Sequence, residues 1–206
     1  MATVAVVGGG PAGLSAALFT AKNGLDTVLF DTDETWMHKA HLFNYPGIGS
    51  VDGSTFVETA RQQADDFGTD RRQGVEVTDV STDDDGFALA TEATEDAPDD
   101  AEGGEVAADY VVLATGTSRD LAGSLGCATT DDGVVDVDVT METSVDGAYA
   151  TGGMVRAEEW QTVISAGDGA AAALNVLTRE KGEHYHDFDT PGTADEVFAA
   201  LADDEA

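Results

Sequence analysis

Thr3-Val-Ala-Val-Val-Gly-Gly-Gly-Pro-Ala-Gly13 is the stretch from which the fold can be read. Its first five residues are short, apolar and mostly β-branched, the composition of a strand buried on both faces. Gly8-Gly-Gly10 then turns the chain, and Pro11 follows where a helix tolerates proline best, in its first turn. The alanine-rich run from Pro11 to Lys22 reads as a helix that Asn23-Gly24 ends. Thr27-Val-Leu-Phe30 follows as a second buried strand and closes on Asp31, eighteen residues after Gly13. About thirty residues thus hold a strand, a helix and a strand, the unit from which parallel sheets are built.

The glycine spacing carries chemistry as well as topology. Gly8 permits the tight turn, Gly10 lets backbone approach a pyrophosphate, and Gly13 lets the helix pack closely on the sheet. The first-turn amides at Ala12 and Gly13 point toward bound phosphate, and the helix dipole favours negative charge there. Asp31 is placed to accept hydrogen bonds from an adenosine ribose. The motif therefore points to the ADP half of a dinucleotide, with a ligand-free glycine turn as the alternative. By itself it does not separate FAD from NAD.

Working outward, Val51 to Gly68 contains a second helix, and strands are expected at Val75 to Val80, Gly86 to Thr91 and Val106 to Ala114. The acidic stretch Glu92 to Glu105 holds Pro98, two glycines and few apolar residues, so it reads as an exposed loop on an antiparallel excursion. Val134 to Val139 and Ala148 to Thr151 read as further strands, and Glu158 to Arg179 as a long helix. Thr193-Ala-Asp-Glu196 matches a capping box, with Val197, Phe198 and Leu201 forming an apolar stripe after it. The expected class is α/β: a Rossmann-like three-layer FAD/NAD(P)-binding domain with a parallel sheet and an antiparallel β excursion. One domain is assigned to residues 1–190, with the acidic loop at 92–105, and residues 191–206 to an acidic tail with a short helix.

Composition bounds the function. Acids outnumber bases 41 to 9 over 206 residues, for a formal net charge of -32. The acids run through the whole chain rather than gathering in one tail. This is the pattern of a salt-adapted surface of haloarchaeal type, because at molar salt the Debye length falls to about 3 Å and self-repulsion is screened. The same charge excludes nucleic acid, whose phosphates need a basic patch. A lone cysteine, Cys127, leaves no CxxC pair and no cysteine metal site. No apolar run reaches the roughly 18 residues a membrane span needs, and Val4 to Val7 is too short for a signal peptide. A cytoplasmic protein is expected.

Five further segments, in order, carry a resemblance. Asn44-Tyr-Pro-Gly47, the stretch Gly53 to Gly68, Val111-Val-Leu-Ala-Thr-Gly116, Met141-Glu-Thr-Ser-Val145 through Gly152, and Gln161 with Ala166-Gly-Asp-Gly-Ala-Ala-Ala172 join the Gly8 to Gly13 loop. Together they are similar to the FAD-binding domain of the thioredoxin reductase family, a pyridine nucleotide-disulfide oxidoreductase type. The resemblance implies FAD as cofactor, held by Gly8, Gly10, Pro11, Ala12, Gly13, Asp31, Asn44, Ala114, Thr115, Gly116, Gly152, Gly153, Trp160, Gln161 and Thr162. It also implies a homodimer, and a flavin N1–C2=O edge facing the helix that starts near Gln161.

The departures are as informative. The family carries an NADPH-binding domain, with its CxxC, between the Ala-Thr-Gly strand and the C-terminal flavin segment; here only Thr117 to Asp132 fills that space. Gly153 stands where the family usually has an aspartate, and Trp36, Met37, His38, His41 and Trp160 replace family residues near the expected flavin ring. The two tryptophans are expected to cover the ring. His38 and His41, three apart, are candidate proton donors or metal ligands but are expected to be solvent-exposed, like His184 and His186; no metal is expected. Cys127 is expected to be inert packing. The function expected is a single-domain FAD oxidoreductase or electron-transfer component, served by a redox partner protein or a small-molecule donor. The alternative is a non-catalytic flavin-binding carrier, sensor or subunit. No catalytic residue is assigned.

Overall fold

A strict two-residue alternation in the first strand builds the layers. The computed structural model describes residues 1–83, 86–190 and 192–193. Strand β1 (Thr3–Val7) sends Val4 and Val6 into one apolar cluster and Ala5 and Val7 into another. Strand β2 (Asp26–Asp31) divides the same way, Leu29 to one side and Val28 with Phe30 to the other. They pair in parallel with β5 (Asp70–Gln73), β9 (Tyr110–Leu113) and β10 (Ala148–Ala150) in the order β10-β9-β1-β2-β5. Burial on both faces is why β1, β9 and β10 read as continuous apolar runs.

One face of this sheet is covered by helices α1 (Pro11–Lys22), α2 (Gly53–Asp66) and α4 (Thr162–Lys181), through Leu14, Ala16, Ala17, Val57, Ala64, Ala172 and Val176. The other face is covered by an antiparallel sheet of β6 (Val75–Thr82), β7 (Phe87–Ala93) and β8 (Gly104–Ala108), with Val75, Val77, Val80, Phe87 and Leu89 inward. Helix α3 (Asp120–Ser124) adds Ala122 to the same cluster. The residues 41–52 carry a small hairpin, β3 (His41–Leu42) with β4 (Val51–Asp52). The three-layer α/β fold expected from the sequence is the fold observed, including the antiparallel excursion and its exposed acidic loop, which spans residues 94–103.

Several elements differ from expectation. Val106 to Ala114 is two strands, not one: the Asp109 carboxylate accepts from Thr3 N–H at 2.6 Å and its own N–H donates to Thr3 O, so Asp109 hands the chain from the antiparallel sheet to the parallel one. Val134 to Val139 forms no strand beyond a single Thr129–Val135 bridge; Val135 is buried while Val139 is 91% exposed, so the alternation has no neighbouring strand to use. Helix α4 starts at Thr162, four residues later than Glu158. Strand β5, whose Asp70-Arg-Arg-Gln73 is wholly polar, has no apolar signature; it is an edge, with Arg71 paired to Asp65 and Arg72 lying over the Phe30 ring. The capping box and apolar stripe expected from Thr193 onward lie outside the described residues apart from Thr193 itself. No helix among the described residues is long and apolar enough to cross a membrane.

Candidate functional site

The strand order reverses at β1: the chain goes first to β2 and β5 on one side, then to β9 and β10 on the other. Open parallel sheets bind ligands in the crevice at such a switch point, beyond the carboxyl ends of the strands. The glycine loop sits there. Gly8 has φ +113°, and a Cβ on it would lie 2.4 Å from Ala114 O at the end of β9. A Cβ on Gly13 would lie 1.8 Å from Gly8 O, so α1 touches its own loop through backbone. Gly10 differs: its nearest neighbour is Thr35 Oγ1 at 3.6 Å, which leaves an open cradle above the first turn of α1. No side chain caps that turn and no acid occupies it. With Pro11 at its start, the unpaired amides are those of Ala12 and Gly13.

The second half of the site abuts the first. Gly152, at φ +68°, would place a Cβ 3.3 Å from the Ala12 Cβ, and a Cβ on Gly169 in α4 would lie 2.0 Å from Ala12 O. Small residues at these points bring α4 and the segment after β10 against α1. Gly153 would press a Cβ to 2.9 Å from Gly116 O and 3.2 Å from Thr117 Cγ2. The turn after β9 occupies the space, which is the physical reason Gly153 stands where the resemblance leads one to expect an aspartate. Thr115 turns inward on itself, donating from Oγ1 to Ser118 O at 3.0 Å.

Asn44 and Gln161, far apart in sequence, meet: Asn44 Nδ2 donates to Gln161 Oε1 at 2.6 Å. Because Gln161 spends its side chain there, it does not cap α4, and the first turn of α4 holds no acid. Its dipole therefore adds to that of α1 at the same edge of the sheet, each worth about 0.3–1 kcal/mol to an anion. Thr162 Oγ1 donates to Met37 Sδ at 3.3 Å, tying α4 to the turn after β2. Trp160 donates from Nε1 to Arg156 O and leaves 57% of its surface exposed; Trp36 is 77% exposed with the Lys39 ammonium 4.6 Å from its ring centroid. Phe43 is exposed, with its ring against His41. The donor set, two uncapped helix N-termini flanking a glycine cradle, fits a ligand with a diphosphate at one end and an electron-rich ring edge at the other.

Asp31 is buried at the end of β2, its carboxyl carbon 2.0 Å from where a Gly9 Cβ would be. The expectation of a free ribose acceptor is modified here, since Arg61 of α2 already engages it from Nε and Nη2 at 2.8 and 2.7 Å. Arg61 Nη2 also reaches Asp33 at 2.5 Å, and Asp33 pairs with His38 Nε2 at 2.8 Å. His38 Nδ1 bonds Ser54 Oγ, whereas His41 bonds Ser50, so the two histidines take separate partners. No cluster suited to a metal ion occurs among the described residues. Burial pushes the Asp33 carboxyl upward, but hydrogen bonds from Arg61 and His38 outweigh it and hold the group below the usual carboxylate range. A depressed carboxyl contributes stability that is present above the ordinary carboxylate pKa and lost as pH falls through its own lower value. Asp33→Asn is accordingly expected to flatten the acid limb of a melting-temperature profile; an unchanged limb would refute the coupling.

Arg61 and Arg156 were not singled out by sequence reasoning. Arg156 holds Asp168, buried in α4, through Nη2 at 2.6 Å and Nε at 3.2 Å, which clamps the residues before α4 onto the helix. The Asp168 hydrogen bond raises the Arg156 pKa further above its ordinary value. The usable signal is scarcity: a chain with nine cations places each against a specific partner. Cys127 is buried and bonds only Thr143 Oγ1 among the described residues, consistent with packing.

Known proteins share this architecture. The thioredoxin reductase of Peptoclostridium acidaminophilum is 30% identical over 127 residues, 60% of this chain and 37% of that protein. The chain covers between 22 and 37% of the length of the first curated thioredoxin reductases it matches. The atypical thioredoxin reductase TRi of Desulfovibrio vulgaris Hildenborough superposes with a TM-score of 0.76 at 19% identity, covering 89% of this chain and 99% of that one. A ferredoxin-flavin thioredoxin reductase from Clostridium acetobutylicum superposes with a TM-score of 0.67 at 17% identity, over 88% of this chain and 99% of that one. The model of the pyridine nucleotide-disulphide oxidoreductases matches residues 2–119 and 50–170. Glycine loop, switch-point crevice and matched residues coincide, and the chain belongs to the pyridine nucleotide-disulphide oxidoreductase family.

Proposed function

We propose that this chain is an FAD-binding oxidoreductase or electron-transfer protein that holds its flavin without a covalent bond. The observation that carries the reading is the direct abutment of the two half-sites, Gly152 against Ala12 and Gly169 against the Ala12 carbonyl. It brings the pyrophosphate cradle at the start of α1 against α4 and the segment after β10. Gly10, Ala12 and Gly13 would hold the diphosphate, Asp31 the ribose, and Asn44, Gln161 and Thr162 the ring edge. The flavin supplies two-electron or one-electron chemistry when bound. The chain's own contribution is orientation, and a helix terminus that favours negative charge beside the ring.

Purified protein is expected to be yellow, and denaturation followed by chromatography to release FAD. FMN has no adenosine diphosphate to occupy the cradle or meet Asp31, so release of FMN alone would refute this reading.

The electrons do not follow the route of an NADPH–thioredoxin reductase. Between β9 and β10 the residues 114–147 carry α3 and turns, with no second glycine loop to cradle NADPH. Cys127 has no partner cysteine in the chain with which to form an intramolecular disulfide. The electrons would come instead from a donor protein or a diffusible nicotinamide; one structural relative is named for ferredoxin. With NADPH, thioredoxin and a disulfide dye, no turnover is expected, and turnover that persisted in Cys127→Ser would overturn this route. A non-catalytic flavin module is the second reading, motivated by the lone, buried Cys127. Bleaching by NADH or NADPH would favour the enzyme, bleaching by dithionite alone the module.

A further inference from the structure

The ribose end of the proposed flavin site is more elaborate than a single acid. A buried carboxylate must be paired, and Asp31 is paired by an arginine that is itself shared. Each carboxylate oxygen accepts about two donors. Asp31 Oδ2 accepts a hydrogen bond from Arg61 Nε at 2.8 Å and is ion-paired with Arg61 Nη2 at 2.7 Å, and Oδ1 accepts one from Asp33 N–H at 2.8 Å. One acceptor position on Oδ1 is left. The guanidinium, meanwhile, is divided between Asp31 and Asp33, and the second carboxylate is held in place by His38. Two carboxylates and one guanidinium contribute a net charge of -1 to this edge.

We propose, on the basis of the flavin reading above, that Arg61 is a positioning residue that sets adenosine specificity: it fixes Asp31 to accept one ribose hydroxyl and, neutralised by Asp31 and Asp33, closes the site to a 2′-phosphorylated ribose. Sites that take a 2′-phosphate offer an arginine whose planar fork is free. Here the Nε and Nη2 edge of the fork is paired with Asp31 and Asp33 before any ligand arrives, and an incoming phosphate dianion would meet two carboxylates in partly buried surroundings, where like charges are poorly screened. The strained backbone of Asp33, at φ +63°, places its N–H on Asp31 and its carboxylate on Arg61 at once, so the arrangement is specified rather than incidental.

The test is calorimetric titration of the full chain, freed of flavin, with FAD, ADP and 2′-phosphorylated ADP. Wild type is expected to prefer ADP to its 2′-phosphorylated form by about 10-fold or more, the scale of one charge-assisted contact. Arg61→Met is expected to lose about 30-fold in ADP affinity by the same reckoning, with Arg61→Lys restoring most of it. Asp33→Asn leaves Asp31 paired but releases half of the fork, and is expected to narrow the preference against the 2′-phosphate. Should Arg61→Met fail to fold, Asp33→Asn, which keeps Arg61 on Asp31, decides the matter through the preference. Wild type that binds FAD and ADP while a folded Arg61→Met leaves ADP affinity within twofold, or Asp33→Asn leaves the preference against the 2′-phosphate within twofold, would overturn the role of Arg61 alone. Wild type that binds neither FAD nor ADP would overturn the flavin reading and this inference with it.

Discussion

Gly13→Val is expected to purify without flavin and with markedly reduced stability. The distance of 1.8 Å from a Gly13 Cβ to Gly8 O lies far inside the 3.0 Å that real Cβ contacts respect. Both partners in that clash are backbone, so no side-chain rotation relieves it. Either α1 rises from the sheet or the loop shifts, and each movement displaces the amides of Ala12 and Gly13 that form the cradle. Overpacking a tight core costs about 1–3 kcal/mol when side chains can adjust; with backbone on both sides the upper end applies. Gly167→Ala is the matched control. It lies in α4 with nothing within 4 Å of the added Cβ, so it is expected to retain flavin and gain about 0.5–1 kcal/mol from helix propensity. Absorbance per chain in the purified variants checks both, and a yellow, stoichiometric Gly13→Val protein would remove Gly13 from the site.

What the sequence made legible follows from which features are local. β1, α1 and β2 were readable because burial on both faces, a proline in the first turn and an Asn-Gly stop each leave a mark within a few residues. The Asn44–Gln161 contact was reachable only through resemblance, since nothing in either segment names the other. β5 was invisible because an edge strand can be stabilised by charge pairs and a cation over a ring instead of buried side chains. Val134 to Val139 shows the converse: its alternation is a strand's, but strands exist only by pairing. Arg61 escaped notice because the stretch Gly53 to Gly68 was read as a whole for its likeness to a family, and its ion pair with Asp31 joins segments thirty residues apart.

Stability is expected to fall steeply as salt is withdrawn. The chain carries a net charge of -32, and every one of its nine lysines and arginines is already engaged among the described residues. Lys22, Arg61, Arg71, Arg72, Arg156 and Arg179 make ion pairs; Arg119 donates to Met154 O; Lys39 and Lys181 lie over the rings of Trp36 and Tyr185. Nine cations leave most of the 41 acids uncompensated. Two effects of salt oppose each other. Screening weakens the ion pairs, but exposed pairs are worth about 0–1 kcal/mol each, and those involving Asp31 and Asp168 are buried enough to be little affected. Screening also removes repulsion, which at about 10 Å in water is roughly 0.4 kcal/mol per pair of carboxylates and is summed over many more pairs than there are cations. Repulsion wins. Relief of even about 5 kcal/mol would raise the melting temperature by about 15 °C for a chain of this size. Thermal melts between low and molar sodium chloride measure it. Neutralising Glu95, Asp96, Asp99, Asp100 and Glu102 in the exposed loop is expected to lower the slope without touching the core, because repulsion scales with the charge present and not with the residues' contacts. A melting temperature indifferent to salt would show that the acids are spaced widely enough for water alone to screen them.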